Sequence, residues 1–166
     1  MHRKQLVEIE ILYQLHGPAL LSYLQRAFGR RTSAEDLLQE TFVRAMRHPE
    51  HFANAKSPRA FLFGIARNVG LGACRIKTPA TNVDFSGQPS TKDMPSPLTA
   101  DPELTDMRRA ITTLPPQMRE TLELRLRDEL TYEEIAVVLE VPVGTIRSRL
   151  HTSLRLLREQ LRKEPS

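Results

Sequence analysis

Five prolines, Pro79, Pro89, Pro95, Pro97 and Pro102, fall within one short stretch that divides the chain. Each lacks a backbone N–H and fixes its own φ, so neither a helix nor a central strand can run through such a segment. Between them stand mostly Thr, Ser, Asp, Asn, Gly and Gln, which cannot build a core. Residues 78–101 therefore read as a flexible linker. Placing its end at 104 leaves a first module at 1–77 and a second at 105–166, and 166 residues suffice for two small domains.

Both modules carry helical patterns, and a composition led by Leu, Ala, Arg and Glu with only seven Gly agrees. In the first, Leu6, Ile9, Leu12 and Leu15 recur at helical spacing, as do Leu20, Leu21, Leu24 and Phe28. Gly17-Pro18 predicts a break or kink between the two sets. Ser33, with Asp36 three residues on, opens a helix with Leu37, Leu38, Phe42, Ala45 and Met46 along one side, and Pro49 ends it. Residues 50–57 read as a loop. Ser57-Pro58 starts another helix, with proline in the tolerated first turn and Phe61, Leu62, Ile65, Ala66 and Val69 as its buried stripe.

In the second module, Asp101-Pro102 forms a cap and first turn, and Leu114-Pro115-Pro116 breaks the chain. The next helix places Met118, Leu122, Leu126 and Leu130 on one face. Thr131-Tyr132-Glu133-Glu134 is a capping box, in which Thr131 accepts from the helix start and Glu134 reaches back. Ile135, Ala136 and Leu139 form the inner face of the helix it opens. Glu140-Val141-Pro142 makes a short turn, and Ile146, Leu150, Leu154, Leu157 and Leu161 line a long final helix. The expected fold is all-α: two small helical domains on a flexible linker, the C-terminal one a helix-turn-helix.

Charge is unevenly spread. Residues 1–77 hold 12 Lys/Arg against 6 Asp/Glu. Residues 144–163 hold six basic residues and one acid, whereas residues 120–140 hold seven acids and two Arg. A basic helix following an acidic one suits a nucleic-acid face, although a solvated surface would look the same on charge alone. The pattern from Thr131 to Leu150 adds weight: a capped short helix, a three-residue turn, then a basic helix. Ala136 is small where helices cross, and Val141 and Ile146 can lock the turn. The free side of the last helix then offers Arg147, Ser148, His151, Thr152 and Arg155, side chains suited to guanine edges and phosphates. A plain antiparallel helical hairpin is the alternative.

Other classes find little support. The longest apolar stretch, about Phe61 to Ala66, falls far short of the roughly 20 residues a membrane span needs. Glu8 and Glu10 interrupt any secretory apolar run after Met1-His2-Arg3-Lys4, so a cytoplasmic protein is expected. The single cysteine, Cys74, excludes an internal disulfide and a multi-cysteine zinc site. There is no P-loop, dinucleotide glycine motif or nucleophile elbow, so no catalytic residues are expected. His48 and His51 flank Pro49-Glu50, but no third or fourth ligand is evident, and no metal is expected. A response regulator or quorum-sensing activator would need an upstream α/β domain, and residues 1–77 show no alternating strands. A helical adaptor that binds only protein remains distinguishable by a DNA-binding test of the second module.

Two runs resemble one family. Leu114-Pro-Pro-Gln-Met-Arg, Leu130-Thr-Tyr-Glu-Glu-Ile-Ala and Val143-Gly-Thr-Ile-Arg-Ser-Arg-Leu-His are similar to region 4 of the extracytoplasmic-function (ECF) sigma factors. Ala34-Glu-Asp-Leu-Leu-Gln-Glu-Thr-Phe-Val-Arg-Ala-Met and Phe52-Ala-Asn-Ala-Lys-Ser-Pro-Arg-Ala-Phe-Leu-Phe-Gly-Ile-Ala-Arg-Asn-Val resemble region 2. The resemblance implies a factor that binds core RNA polymerase and directs promoter-specific initiation. It places Arg147, Ser148 and His151 on the base-facing side toward the minus-thirty-five element, with Thr145, Arg149, Thr152 and Arg155 around them. It implies docking on a coiled coil of the polymerase's largest subunit through Asp36, Gln39 and Glu40, with Leu37 and Val43 nearby. An acidic cluster favourable to the helix dipole explains Asp36 and Glu40 equally well.

For the minus-ten element, the loop from Phe52 to Ser57 would receive a flipped base. Asn54 and Asn68 would offer amides, Phe52 a wall, and Lys56, Arg59 and Arg67 phosphate contacts. The implied partners are core polymerase, through that coiled coil and its flap, promoter DNA and an anti-sigma factor, with no small-molecule substrate and no cofactor. Two positions depart from the family. Phe61 stands where Trp is common, and core packing is the expected role for it. Glu140 stands where Gly is common, and a residue with a Cβ there costs about 1 kcal/mol if the turn is left-handed.

Overall fold

The computed structural model describes residues 2–77 and 101–163, and among them every regular element is a helix. The linker expected at 78–104 therefore lies largely outside the described residues.

The first unit contains α1 (His2–Phe28), α2 (Ala34–Arg47), α3 (Pro49–Asn54) and α4 (Pro58–Lys77), with α1, α2 and α4 packed on one another. Its core is Leu20, Tyr23, Leu24 and Phe28 of α1, Leu37, Leu38 and Phe42 of α2, and Leu62, Phe63, Ala66 and Val69 of α4. The Tyr23 ring stands 5.3 Å from Phe63 and edge-on to Phe28 at 6.3 Å. Where α4 passes Phe28 the chain has Gly70, and a Cβ there would meet the ring at 2.2 Å. The close crossing requires glycine on steric grounds alone.

Four expectations for this unit are corrected. First, of the break or kink expected at Gly17-Pro18, the break does not occur: α1 runs through Pro18. Interior proline sacrifices the bond to the carbonyl four residues back, here that of Gln14. Pro18 and Gln14 are both exposed, so water can satisfy that carbonyl, while the buried side beyond holds the helix. Second, residues 50–57 are not wholly a loop, because α3 occupies Pro49–Asn54. Third, the inner stripe of α4 includes Phe63, whereas Phe61 and Ile65 are half-buried. Fourth, Leu6, Leu15 and Met46 are exposed, not core. The start of α2 is as read: the Asp36 N–H donates to Ser33 Oγ at 3.3 Å. So is that of α4, where the Ala60 N–H donates to Ser57 Oγ at 3.1 Å.

The second unit contains α5 (Pro102–Thr112), α6 (Pro116–Leu126), α7 (Tyr132–Leu139) and α8 (Val143–Lys163). Asp101 caps α5 by accepting the Glu103 N–H at 3.0 Å, so this helix begins inside the stretch assigned to linker. Helix α8 packs on α5 and α6, and the core holds Leu114, Leu122, Leu124, Leu130, Ile135, Ile146, Leu150 and Leu157. Two buried hydroxyls are satisfied on their own helices, Thr121 to the Gln117 carbonyl at 2.8 Å and Ser153 to the Arg149 carbonyl at 2.6 Å. The Leu114-Pro115-Pro116 break is clamped by Arg119, whose Nη2 donates to the Thr112 and Leu114 carbonyls at 2.8 and 3.1 Å.

Two expected stripes are corrected here. Leu126 is 61% exposed, because α6 ends there and Glu129, at φ 55°, turns the chain and returns Leu130 to the core. On α8 the buried line is Ile146, Leu150, Ser153 and Leu157, whereas Leu154 and Leu161 are exposed. A repeat of 3.6 residues per turn carries the inner line through position 153 and leaves 154 to one side.

Candidate nucleic-acid interface

The helix-turn-helix is fixed at both ends of α7. Glu134 Oε2 accepts the Thr131 N–H at 2.8 Å, and Thr131 Oγ1 accepts the Glu134 N–H at 3.2 Å. This reciprocal cap is the one read from the sequence. At the other end Glu140 adopts φ 55°, and the Val141 N–H returns to the Ala136 carbonyl at 3.1 Å. That six-to-one bond with a left-handed residue before it is a Schellman turn, a site that favours glycine. Arg125 braces the approach to α7, donating to the Leu130 carbonyl at 3.0 Å with its guanidinium 5.2 Å from the Tyr132 ring centre. Its role was not visible in the sequence, because nothing local signals where an arginine four positions before a left-handed turn will reach.

With Ile146 and Leu150 buried, α8 turns Arg147, Ser148, His151 and Arg155 outward on one side. These are four of the seven residues expected at the minus-thirty-five element. Thr145 and Thr152 lie half-buried on one flank. Arg149 stands apart from the outward set, half-buried, with its Nη2 3.4 Å from Gln117 Oε1 of α6. The outward ridge continues through Arg158 and Arg162, both exposed and both missed by the motif, which stops at the recognition turns.

In the first unit, Asp36 and Gln39 are exposed on α2, with Glu40 and Val43 half-buried on the same side. Glu40 pairs with Arg44 at 2.8 Å. Leu37 does not share that surface: it is 4% exposed and faces the core, which corrects its place among the docking residues. The helix repeat sets it with Leu38, Thr41 and Phe42 on the inner side.

Around α3, the Phe52 ring meets Phe61 edge-on at 4.8 Å, and His51 meets the same ring at 5.9 Å. Phe61 is thus the support for Phe52 and not a core residue. Asn54 is exposed, with its amide donating to the Glu50 carbonyl at 3.0 Å, so one donor is already engaged. Lys56 is exposed, Ser57 caps α4, and Arg59 and Arg67 are half-buried. Asn68 is exposed on the same face of α4 as Phe61, two turns on, which is about 10 Å along the axis.

Two helical units, the second a capped helix-turn-helix with an arginine-bearing outer side, define a DNA-binding class of protein. Residues 12–77 match Sigma-70 region 2, and residues 104–157 match Sigma-70, region 4. The ECF RNA polymerase sigma factor SigE of Mycolicibacterium smegmatis is 32% identical over 93% of this chain and 62% of its own length, so the chain spans under two thirds of that relative. SigL of Mycobacterium tuberculosis is 31% identical over 92% of this chain and 88% of its own. Among solved structures, the sigma factor RpoE of Bartonella quintana, in complex with the anti-sigma factor NepR, shares the fold at TM-score 0.68 and 23% identity, covering 95% of this chain and 99% of that one. CnrH, solved with the cytosolic domain of CnrY, does so at TM-score 0.64 and 23% identity, covering 95% and 89%. The chain belongs to the ECF sigma factors of the sigma-70 family, transcription initiation factors that direct promoter-specific transcription by RNA polymerase.

Proposed function

We propose that the first unit docks on core RNA polymerase through Asp36, Gln39, Glu40 and Val43 and reads the minus-ten element with Phe52, Asn54, Lys56 and Asn68. Arg59 and Arg67 hold phosphates beside them. The outer side of α8 reads the minus-thirty-five element through Arg147, Ser148, His151 and Arg155, with Thr145 and Thr152 at its edge. Ser57 and Arg149 serve mainly as supports, one capping α4 and the other lying against Gln117. The factor has no catalytic activity of its own and works in the cytoplasm, where the polymerase is. An anti-sigma factor binds it, as NepR binds RpoE.

The observation that carries this reading is the reciprocal cap and left-handed turn, which fix α8 with four base-competent side chains on one exposed side. The test is in vitro transcription with core polymerase over a genomic promoter library. Initiation at a defined set of promoters sharing two spaced elements is expected. Failure to co-purify with core polymerase in the absence of any anti-sigma protein would overturn it.

A further inference from the structure

Beside the residues described around α3, three metal-competent side chains converge at the junction of α2 and α3. His48 Nδ1 lies 3.5 Å from Glu50 Oε1, and His51 Nε2 lies 4.0 Å from the same oxygen. The two imidazoles stack with ring centres 5.2 Å apart, and one ligand atom from each of the three residues falls within 4.8 Å of the others. The sequence offered two histidines without an evident third ligand. The fold supplies it, because the first turn of α3 brings Glu50 back between them.

The geometry points to a binding site for a divalent transition-metal ion, with His48, Glu50 and His51 as its protein ligands. Ligand bonds of about 2.0–2.2 Å around one ion bring donor atoms roughly 3–3.5 Å apart, so the observed separations need only side-chain adjustment. All three side chains are more than half exposed, which leaves them free to make it. His48 ends α2 and begins α3 but makes no side-chain cap bond, so its imidazole is not committed to the helix end. Two imidazoles and one carboxylate suit Zn²⁺, Co²⁺ or Ni²⁺, whereas Ca²⁺ and Mg²⁺ prefer all-oxygen sets. Three protein ligands leave the remaining positions to water. A bound ion would tie the end of α2 to α3, whose His51 rests on Phe61.

The test is titration of the full chain with Co²⁺ alone, followed through its visible absorption, and then displacement by Zn²⁺. One equivalent is expected to bind, with affinity falling at least about tenfold in each of His48→Ala, Glu50→Gln and His51→Ala, since even outer-shell changes at metal sites cost 10–100-fold. His2→Ala removes a histidine of α1 and should leave that equivalent in place. Zn²⁺ should raise the melting temperature of the parent and not of Glu50→Gln. Absence of binding, binding unchanged in the three variants, or binding lost in His2→Ala would each overturn the site. Because the readout is metal occupancy, it stands or falls separately from promoter activity.

Discussion

Glu140 holds a backbone conformation that its own Cβ opposes. At φ 55° it closes the turn between α7 and α8, where glycine would be free of that penalty. Glu140→Gly should therefore stabilise the second unit by about 1 kcal/mol, partly offset by the greater freedom glycine gains in the unfolded chain. Denaturant unfolding measures this, and a variant no more stable than its parent would mean that Glu140 makes a compensating interaction. At the recognition surface, Arg147→Ala should lower minus-thirty-five binding by roughly 1–3 kcal/mol if the guanidinium makes a bidentate base contact. Arg149→Ala should cost less, since Arg149 lies against Gln117. Equal losses in the two, measured at matched salt, would disprove the division of α8 into an outer and a supporting side. Asn68, in its proposed role, would act at a later step. A base in duplex DNA hides much of the edge an amide would read, so Asn68→Ala should spare core affinity and closed-complex binding and reduce strand opening. Permanganate footprinting on a matched promoter checks this, and normal melting would make Asn68 a structural amide.

Among the elements, α2 serves two surfaces at once: a core side and a polar side. Asp36→Arg changes only the exposed polar side, so core-polymerase affinity should fall while circular dichroism stays the same. Unchanged affinity with unchanged helicity would remove that side of α2 from docking. The same two-sidedness shows what the sequence could and could not reveal. Helices α2, α4 and α7 were legible because Ser33, Ser57 and Thr131 mark their starts, and α8 because it follows the turn at Glu140-Val141-Pro142; the apolar residues of all four recur near the helical period. Helix α3 was not, because its six residues are too few for an apolar stripe, none is fully buried, and it lacks a side-chain cap. Pro18 does not end α1 because the bond it gives up lies on the exposed side, where water can replace it. Leu37 misled because a motif names neighbours in sequence, whereas the helix repeat sends adjacent residues to different faces. At the candidate site, the outward set on α8 was legible from the turn and the period. The roles of Phe61 and Arg149 were not, since each depends on a partner in another helix, Phe52 and Gln117.

For the whole molecule, the ridge on α8 runs beyond the part a helix-turn-helix uses to read bases. Residues near the start of a recognition helix reach base edges, whereas Arg158 and Arg162 stand about four and five turns beyond the first residue of α8, Val143. If they meet DNA, they meet phosphate. Each phosphate so neutralised expels condensed counterions, and log affinity falls with log salt by about 0.9 per contact. Replacing both by Gln should weaken binding to all sequences alike and flatten the salt dependence by up to about two contacts, leaving the ratio between promoter and non-promoter DNA nearly unchanged. A change in that ratio would mean that one of the two reads sequence. With those contacts made, the ridge would make ionic strength a common gain on every promoter bound. An osmotic upshift that concentrates potassium would loosen its hold on all of them in parallel while keeping their ranking, which the base-reading residues set.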